Sequence, residues 1–302
     1  MTDSHPSATR AGALPTLSEQ EWTQRIAAGR PLWHRLASRL RTGFRRVWTM
    51  YEGVEGQPGE APLPPAHLRI YYYGTRDPAA FARASRDAVT ELTGRGLTPA
   101  HRVLDIGCGI GNLALGLRGF LKGGYEGLDV HSEAIAWCQQ AITPVAPGFH
   151  FTRADLNNRA YNPGRATAAE NYRFPFPDRA FDFILVGSVF THMLAADFEH
   201  YVKEIARVLD DGGTCVASCY LLNDASRDGI ARGASYFSFP FGDPTGRLRV
   251  QDISLPEAAV AMDEDYVRQV HRDAGLNVAD VRRGRWFTGA AHDQDVLTVR
   301  RR

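Results

Sequence analysis

The 302-residue sequence predicts an α/β protein with a mostly parallel seven-stranded sheet, helices on both faces and an antiparallel last strand. Three observations carry this. From about residue 67 onward, short and nearly continuous apolar runs alternate with stretches of helical periodicity, the pattern of strands covered on both faces. The run from Val103 to Ile106 leads into alternating glycines, Gly107, Gly109 and Gly111, and a helical pattern starts at Asn112. Two closely spaced runs, 276–281 and 295–300, suit an antiparallel edge.

Hydrophobic residues make up 44% and charged residues 23%, the balance of an ordinary globular protein. A net charge of +1 argues against a nucleic-acid partner. No apolar run reaches the roughly 18 residues of a membrane span. Asp3 and His5 stand where an apolar signal region would begin, so the cytoplasm is the expected location. The four cysteines, Cys108, Cys138, Cys215 and Cys219, form no C-x-x-C pair or zinc-type spacing. They are expected to be small buried residues, with no metal.

Residues 1–20 are rich in small and polar residues and are expected to be disordered. Trp33, Leu36, Leu40, Phe44 and Val47 recur at helical spacing among five arginines, a basic amphipathic helix over about 31–50. Such a helix can pack its apolar stripe on the main domain or make peripheral contact with an anionic membrane or partner. The Pro/Gly-dense stretch 53–66 reads as a linker, so residues 1–66 form an N-terminal extension and 67–302 the main domain. Within that domain, Pro78 to Thr93 reads as a helix ended by Gly94 and Gly96. Strands are expected at 102–106, 125–130, 150–153, 181–187, 214–221, 276–281 and 295–300, and helices after Gly111, after Ser132, over 196–209 and over 263–274. Asp210 to Gly213 reads as a turn. Two long insertions, at about 156–180 and 222–262, are candidates for a lid and an acceptor pocket, or for decoration at the sheet edge.

The chemistry gathers where open α/β sheets bind ligands, at the carboxyl ends of parallel strands. Glycines in the 107–111 turn let the backbone take positive φ and let a ligand approach closely. Asn112 stands where a dinucleotide fingerprint places its last glycine, so that fingerprint is not met. Asp129, 24 residues after Asp105, offers a carboxylate suited to the two vicinal hydroxyls of a ribose. His192, just after the fourth strand, is the candidate general base, with loop packing as the plainer reading. Tyr71, Tyr72 and Tyr73 can cover a ligand or simply pack. Phe237, Phe239, Phe241, Trp286 and Phe287 can wall an acceptor site, though such residues more often form core.

The run Asp105-x-Gly107-x-Gly109-x-Gly111 resembles motif I of the class I S-adenosylmethionine-dependent methyltransferases, a Rossmann-like fold. The resemblance covers roughly residues 68–302, and the segment Ser188 to Met193 looks most like bacterial small-molecule or glycan methyltransferases. It implies S-adenosyl-L-methionine as cofactor and S-adenosyl-L-homocysteine as product. It implies cofactor contacts at Asp105, Gly107, Cys108, Gly109, Gly111, Asp129, Val130, Asp155, Leu156, Ser188 and Tyr73, with Asp155 meeting the adenine amino group and the Leu156 backbone facing the ring. Acceptor contacts are expected at Tyr72, Phe190, His192, Tyr220, Phe237 and Trp286. Gly187 to Phe190 stands where adenine and glutamine N-methyltransferases carry an N-P-P-Y-type motif, which argues against DNA-base methylation. The expected activity is methyl transfer to a small-molecule or glycan-type acceptor, foremost a hydroxyl. N- or S-methylation, aminopropyl transfer and non-catalytic cofactor binding stand as alternatives, and the oligomeric state is open.

Overall fold

The computed structural model describes residues 16–28, 63–291 and 293–301. The basic segment 31–50 and most of the 53–66 linker lie outside the described residues. The end of the stretch expected to be disordered is instead built into the fold. Leu17 N–H donates to the Gly242 carbonyl at 3.1 Å, and helix α1 (Glu19–Ala28) follows. Its Trp22 packs against the main core, and Arg159 reaches the Ile26 carbonyl. Composition alone misses such a segment because its order comes from distant partners.

Helix α2 (Ala66–Tyr73) ends at Gly74, whose φ of 65° is the left-handed conformation of a helix stop. Asp77 then caps helix α3 (Pro78–Gly94), accepting from the N–H groups of Ala79 and Ala80. The strand–helix alternation follows: β1 (Val103–Ile106), α4 (Asn112–Leu117), β2 (Tyr125–Asp129), α5 (Ser132–Ala141), β3 (Phe149–Arg153), β4 (Phe181–Val186), α6 (Ala195–Val208) and β5 (Leu209–Leu222). Every residue of β1 is buried, as a central strand covered on both faces requires. The chain continues through α7 (Asp224–Ala231), β6 (Phe241–Gly242), β7 (Leu248–Val250), β8 (Val260–Asp263), α8 (Glu264–Asp273), β9 (Leu276–Arg282) and β10 (Asp295–Arg301).

Strands β3, β2, β1, β4 and β5 lie side by side and parallel, β10 runs antiparallel to β5, and β9 antiparallel to β10. These are the seven expected strands. Among the described residues the sheet nevertheless has ten strands, because the 222–262 insertion adds three. Strand β5 is long enough to serve three neighbours: Thr214 to Ala217 pair with β4, Thr214 to Cys219 with β10, and Tyr220 to Leu222 with β8. The turn expected at Asp210 to Gly213 is an interruption inside β5. Phe181 and Phe183 on β4 face Leu209 and Thr214, so four residues of β5 loop out, with Gly212 at a φ of 72°.

One large apolar cluster spans β1, β4, β5 and α6, and a second packs under α4 and α5. All four cysteines are free and buried in these layers. No helix among the described residues is long and apolar enough to cross a membrane.

Candidate active site

The carboxyl ends of β1, β2 and β4, with the segments after β3, open on a cavity of about 530 Å³. Gly107 forms part of its wall, and its φ is 80°. A Cβ at this position would stand 2.4 Å from Val189 Cγ2, so the turn needs glycine for packing as well as for conformation. Gly109 lies under the Tyr72 ring, where a Cβ would come within 2.8 Å of Cε1. Gly109 and Gly111 do not line the cavity; their work is to shape the turn. The Gly109 N–H donates to Asp129 Oδ2 and the His131 N–H to Asp129 Oδ1, both at 2.8 Å. Asp129 lines the cavity with its carboxylate thus oriented. Burial pushes its carboxyl above the usual range, and these two N–H bonds oppose that.

Asp105 sits beneath the turn rather than in the cavity. It is 3% exposed and accepts from the Tyr125 hydroxyl at 2.6 Å. Burial pushes its carboxyl up to about 7, against the help of Tyr125. In the pH range between about 4 and 7 the folded protein therefore holds a proton that the unfolded chain has released. This contribution to stability is complete below the ordinary carboxyl range and is lost as pH rises through the folded value. Asp105 by itself therefore makes the unfolding free energy fall with rising pH, by up to about 1.4 kcal/mol per unit, while His271, whose buried imidazole is pushed down to about 4, acts in the opposite direction. Burial acts on Asp129, Asp197 and Glu257 as it does on Asp105. Urea titrations at pH 5 and pH 7.5 would show a smaller difference for Asp105→Asn than for the parent. An equal difference in both proteins rules out this role for Asp105.

Tyr71, Tyr72, Val130, Leu156, Ser188 and His192 also line the cavity. Ser188 holds a φ of 57°, a strained value for a side-chain-bearing residue. Its N–H donates to Ser218 Oγ at 2.8 Å, and Gln294 Nε2 donates to its hydroxyl at 3.0 Å. His192 Nδ1 lies 2.8 Å from the Glu257 carbonyl, which can only accept. Nδ1 therefore carries the proton, and the bare Nε2 accepts from the Tyr161 hydroxyl at 3.0 Å. Burial lowers the imidazole's affinity for a second proton.

The remaining expected contacts are not brought to the cavity. Asp155 is exposed and lies 3.2 Å from both Arg153 and Arg165, which hold it on the surface. Tyr73 follows Tyr71 and Tyr72 on one helix, where consecutive side chains diverge, and its ring packs against Phe81. Cys108 is buried in the core. Phe190 is fully buried against the Phe198 ring. Tyr220, Phe237 and Trp286 pack on one another in a satellite core with Phe239, so the aromatic wall proposed from sequence is interior packing. Residues absent from the sequence reading take their places. Asn158, Ala160, Tyr161 and Ala169 come from the first insertion, Met193, Asp197 and Tyr201 from the chain around α6, and Ala258 from the second insertion. Tyrosine and asparagine inside long insertions carry no periodic signal, so only the folded chain reveals them.

The residues fit an adenosyl sulfonium ligand. The Asp129 carboxylate accepts one N–H at each oxygen and keeps lone pairs for a ribose diol, beside an apolar slot made by Val130, Ala154 and Leu156. The fold is the Rossmann-like α/β fold of a methyltransferase domain. Residues 104–217 match the family model described as a methyltransferase domain. Over 158 residues the chain is 25% identical to a sterol 24-C-methyltransferase of Gibberella zeae, a stretch that is 52% of this chain and 37% of that protein. The chain thus spans well under two thirds of this relative. A candidate O-methyltransferase structure from Nostoc punctiforme PCC 73102 is similar with a TM-score of 0.51 and 14% identity, covering 86% of this chain and 68% of the other. At that identity the likeness is one of fold. The magnesium protoporphyrin IX methyltransferase structure from Synechocystis PCC 6803, with bound S-adenosylhomocysteine, gives 0.48 and 18%, covering 86% and 94%.

Proposed function

We propose that the protein transfers the methyl group of S-adenosylmethionine to a hydroxyl of a small-molecule or glycan-type acceptor. The observation that carries the hydroxyl reading is the Tyr161–His192 pair, anchored by the Glu257 carbonyl in the wall of the same cavity as Asp129. A hydroxyl acceptor must lose its proton as its oxygen bonds to carbon, and an amine need not lose one beforehand.

Asp129 and the 107–111 turn hold the donor, which supplies an electrophilic methyl on sulfur. The acceptor oxygen forms the new bond to carbon as the carbon–sulfur bond breaks, giving a methyl ether and S-adenosylhomocysteine. His192 Nε2 is already engaged by Tyr161. The acceptor proton therefore passes to the Tyr161 oxygen as the Tyr161 proton moves to Nε2, leaving an imidazolium whose Nδ1–H stays on the Glu257 carbonyl. Proximity and orientation in the cavity supply the rest of the rate enhancement.

The test is calorimetry with S-adenosylhomocysteine, followed by an acceptor screen with cofactor labelled in its methyl group. No binding at millimolar ligand overturns the donor assignment, and labelling confined to amines or thiols overturns the hydroxyl reading. With the acceptor in hand, Tyr161→Phe and His192→Ala should each lower kcat on the order of 10²–10⁴-fold. Cofactor affinity should be kept in both variants. The wild-type kcat should be level near pH 7 and fall only below the ordinary histidine range, because burial keeps the imidazole neutral. A profile that instead rises through pH 8 would show that another group is the base.

A further inference from the structure

We infer that Asp197, rather than Asp155, is the carboxylate that reads the exocyclic amino group of the cofactor's adenine. This rests on the donor reading above and names a specificity-determining residue within it. Among the described residues, Asp129 and Asp197 are the two carboxylates that line the cavity. Asp129 stands at the end of β2 and has the ribose position. A purine attached to that ribose extends toward the end of β3, over the apolar walls of Val130, Ala154 and Leu156.

Asp197 belongs to that end of the cavity through a continuous set of contacts. The residue after Leu156, Asn157, donates its N–H to the Thr167 carbonyl at 2.7 Å and bridges to Ala168. Ala169, next in the chain, lines the cavity, and the turn Ala169–Asn171 packs against α6, where His200 Nε2 lies 2.9 Å from the Tyr172 carbonyl. The first insertion thus folds back beside the end of β3 and places the first turn of α6 against it. Met193 and Tyr201 complete this wall.

Asp155 meanwhile is engaged on the outside. Its carboxylate is exposed, and Arg153 and Arg165 each approach it at 3.2 Å. An amino group donates hydrogen bonds and a carboxylate accepts them, so the Asp197 oxygens discriminate a 6-amino purine from a 6-oxo purine. A buried polar group that loses its partner disfavours the wrong ligand more strongly than a new contact favours the right one.

The test compares calorimetric affinities for S-adenosylhomocysteine and S-inosylhomocysteine. The full-length wild-type protein should prefer the 6-amino ligand by at least tenfold, the range expected for a hydrogen bond to a charged group. In Asp197→Asn the preference should collapse or reverse, because an amide can turn its NH2 toward the 6-oxo oxygen. In Asp155→Asn it should persist. A preference that survives Asp197→Asn, or that is lost in Asp155→Asn, overturns the assignment while leaving the donor reading intact. Wild-type protein that binds neither ligand overturns the donor reading itself. Should Asp197→Asn fail to fold, S-adenosylhomocysteine labelled with 15N at the amino group and bound to the wild type decides the matter. Nuclear Overhauser contacts from the amino protons to the Asp197 Cβ protons support the inference, and contacts to the Asp155 side chain overturn it.

Discussion

Asp129→Ala should weaken S-adenosylhomocysteine binding at least tenfold, and on the order of 100-fold if both ribose hydroxyls bond the carboxylate. The loss has two parts. The diol loses its acceptor, and the N–H groups of Gly109 and His131 lose the carboxylate that fixes the turn. Asp129→Asn keeps one acceptor oxygen and should lose less. Calorimetry gives the affinities, and thermal melts of the unliganded variants separate ligand contact from folding. An affinity within twofold of the parent for the alanine variant would remove Asp129 from the binding site.

Asp295→Ala should destabilise the protein by about 3–6 kcal/mol, the largest stability change expected of any single substitution considered. The Asp295 side chain accepts three N–H bonds: Leu221 N–H at 2.9 Å, Gly284 N–H at 3.0 Å and Trp286 Nε1–H at 2.8 Å. The residue is 1% exposed, so truncation strands three donors away from water. Their positions matter as much as their number. Leu221 lies in the part of β5 that pairs with β8, and Trp286 fills the satellite core beneath the second insertion. The variant should therefore lose the insertion's packing along with global stability. Guanidinium denaturation followed by tryptophan fluorescence tests both, and a midpoint shift worth less than about 1 kcal/mol would show that water takes over these donors.

The part of the cavity around Gly107 and Asp129 is legible in the sequence because its chemistry is local. The glycine turn and the acid at the end of the second strand are short-range consequences of a strand–turn–helix unit, so spacing locates them, and the family resemblance adds Leu156 after the third. The failures share a different cause. Tyr73 was grouped with Tyr71 and Tyr72 by adjacency, but helical geometry turns it toward Phe81. The family resemblance puts Asp155 at the adenine, and a family pattern is blind to Arg153 and Arg165 competing for its charge. Phe237, Tyr220 and Trp286 carry the same apolar signal whether they wall a ligand or one another.

The sequence by itself determined the class of fold, the seven principal strands with the antiparallel edge, and the glycine turn with Asp129 beside it, because periodicity and turn chemistry are written within a few residues. Only the tertiary structure decided the three added strands, the docking of α1, the Tyr161–His192–Glu257 chain and the placing of Asp197 in the cavity. These join residues 31 and 65 positions apart in the chain, or pair a helix with an insertion. No local pattern encodes which distant side chains a folded core brings within hydrogen-bond reach.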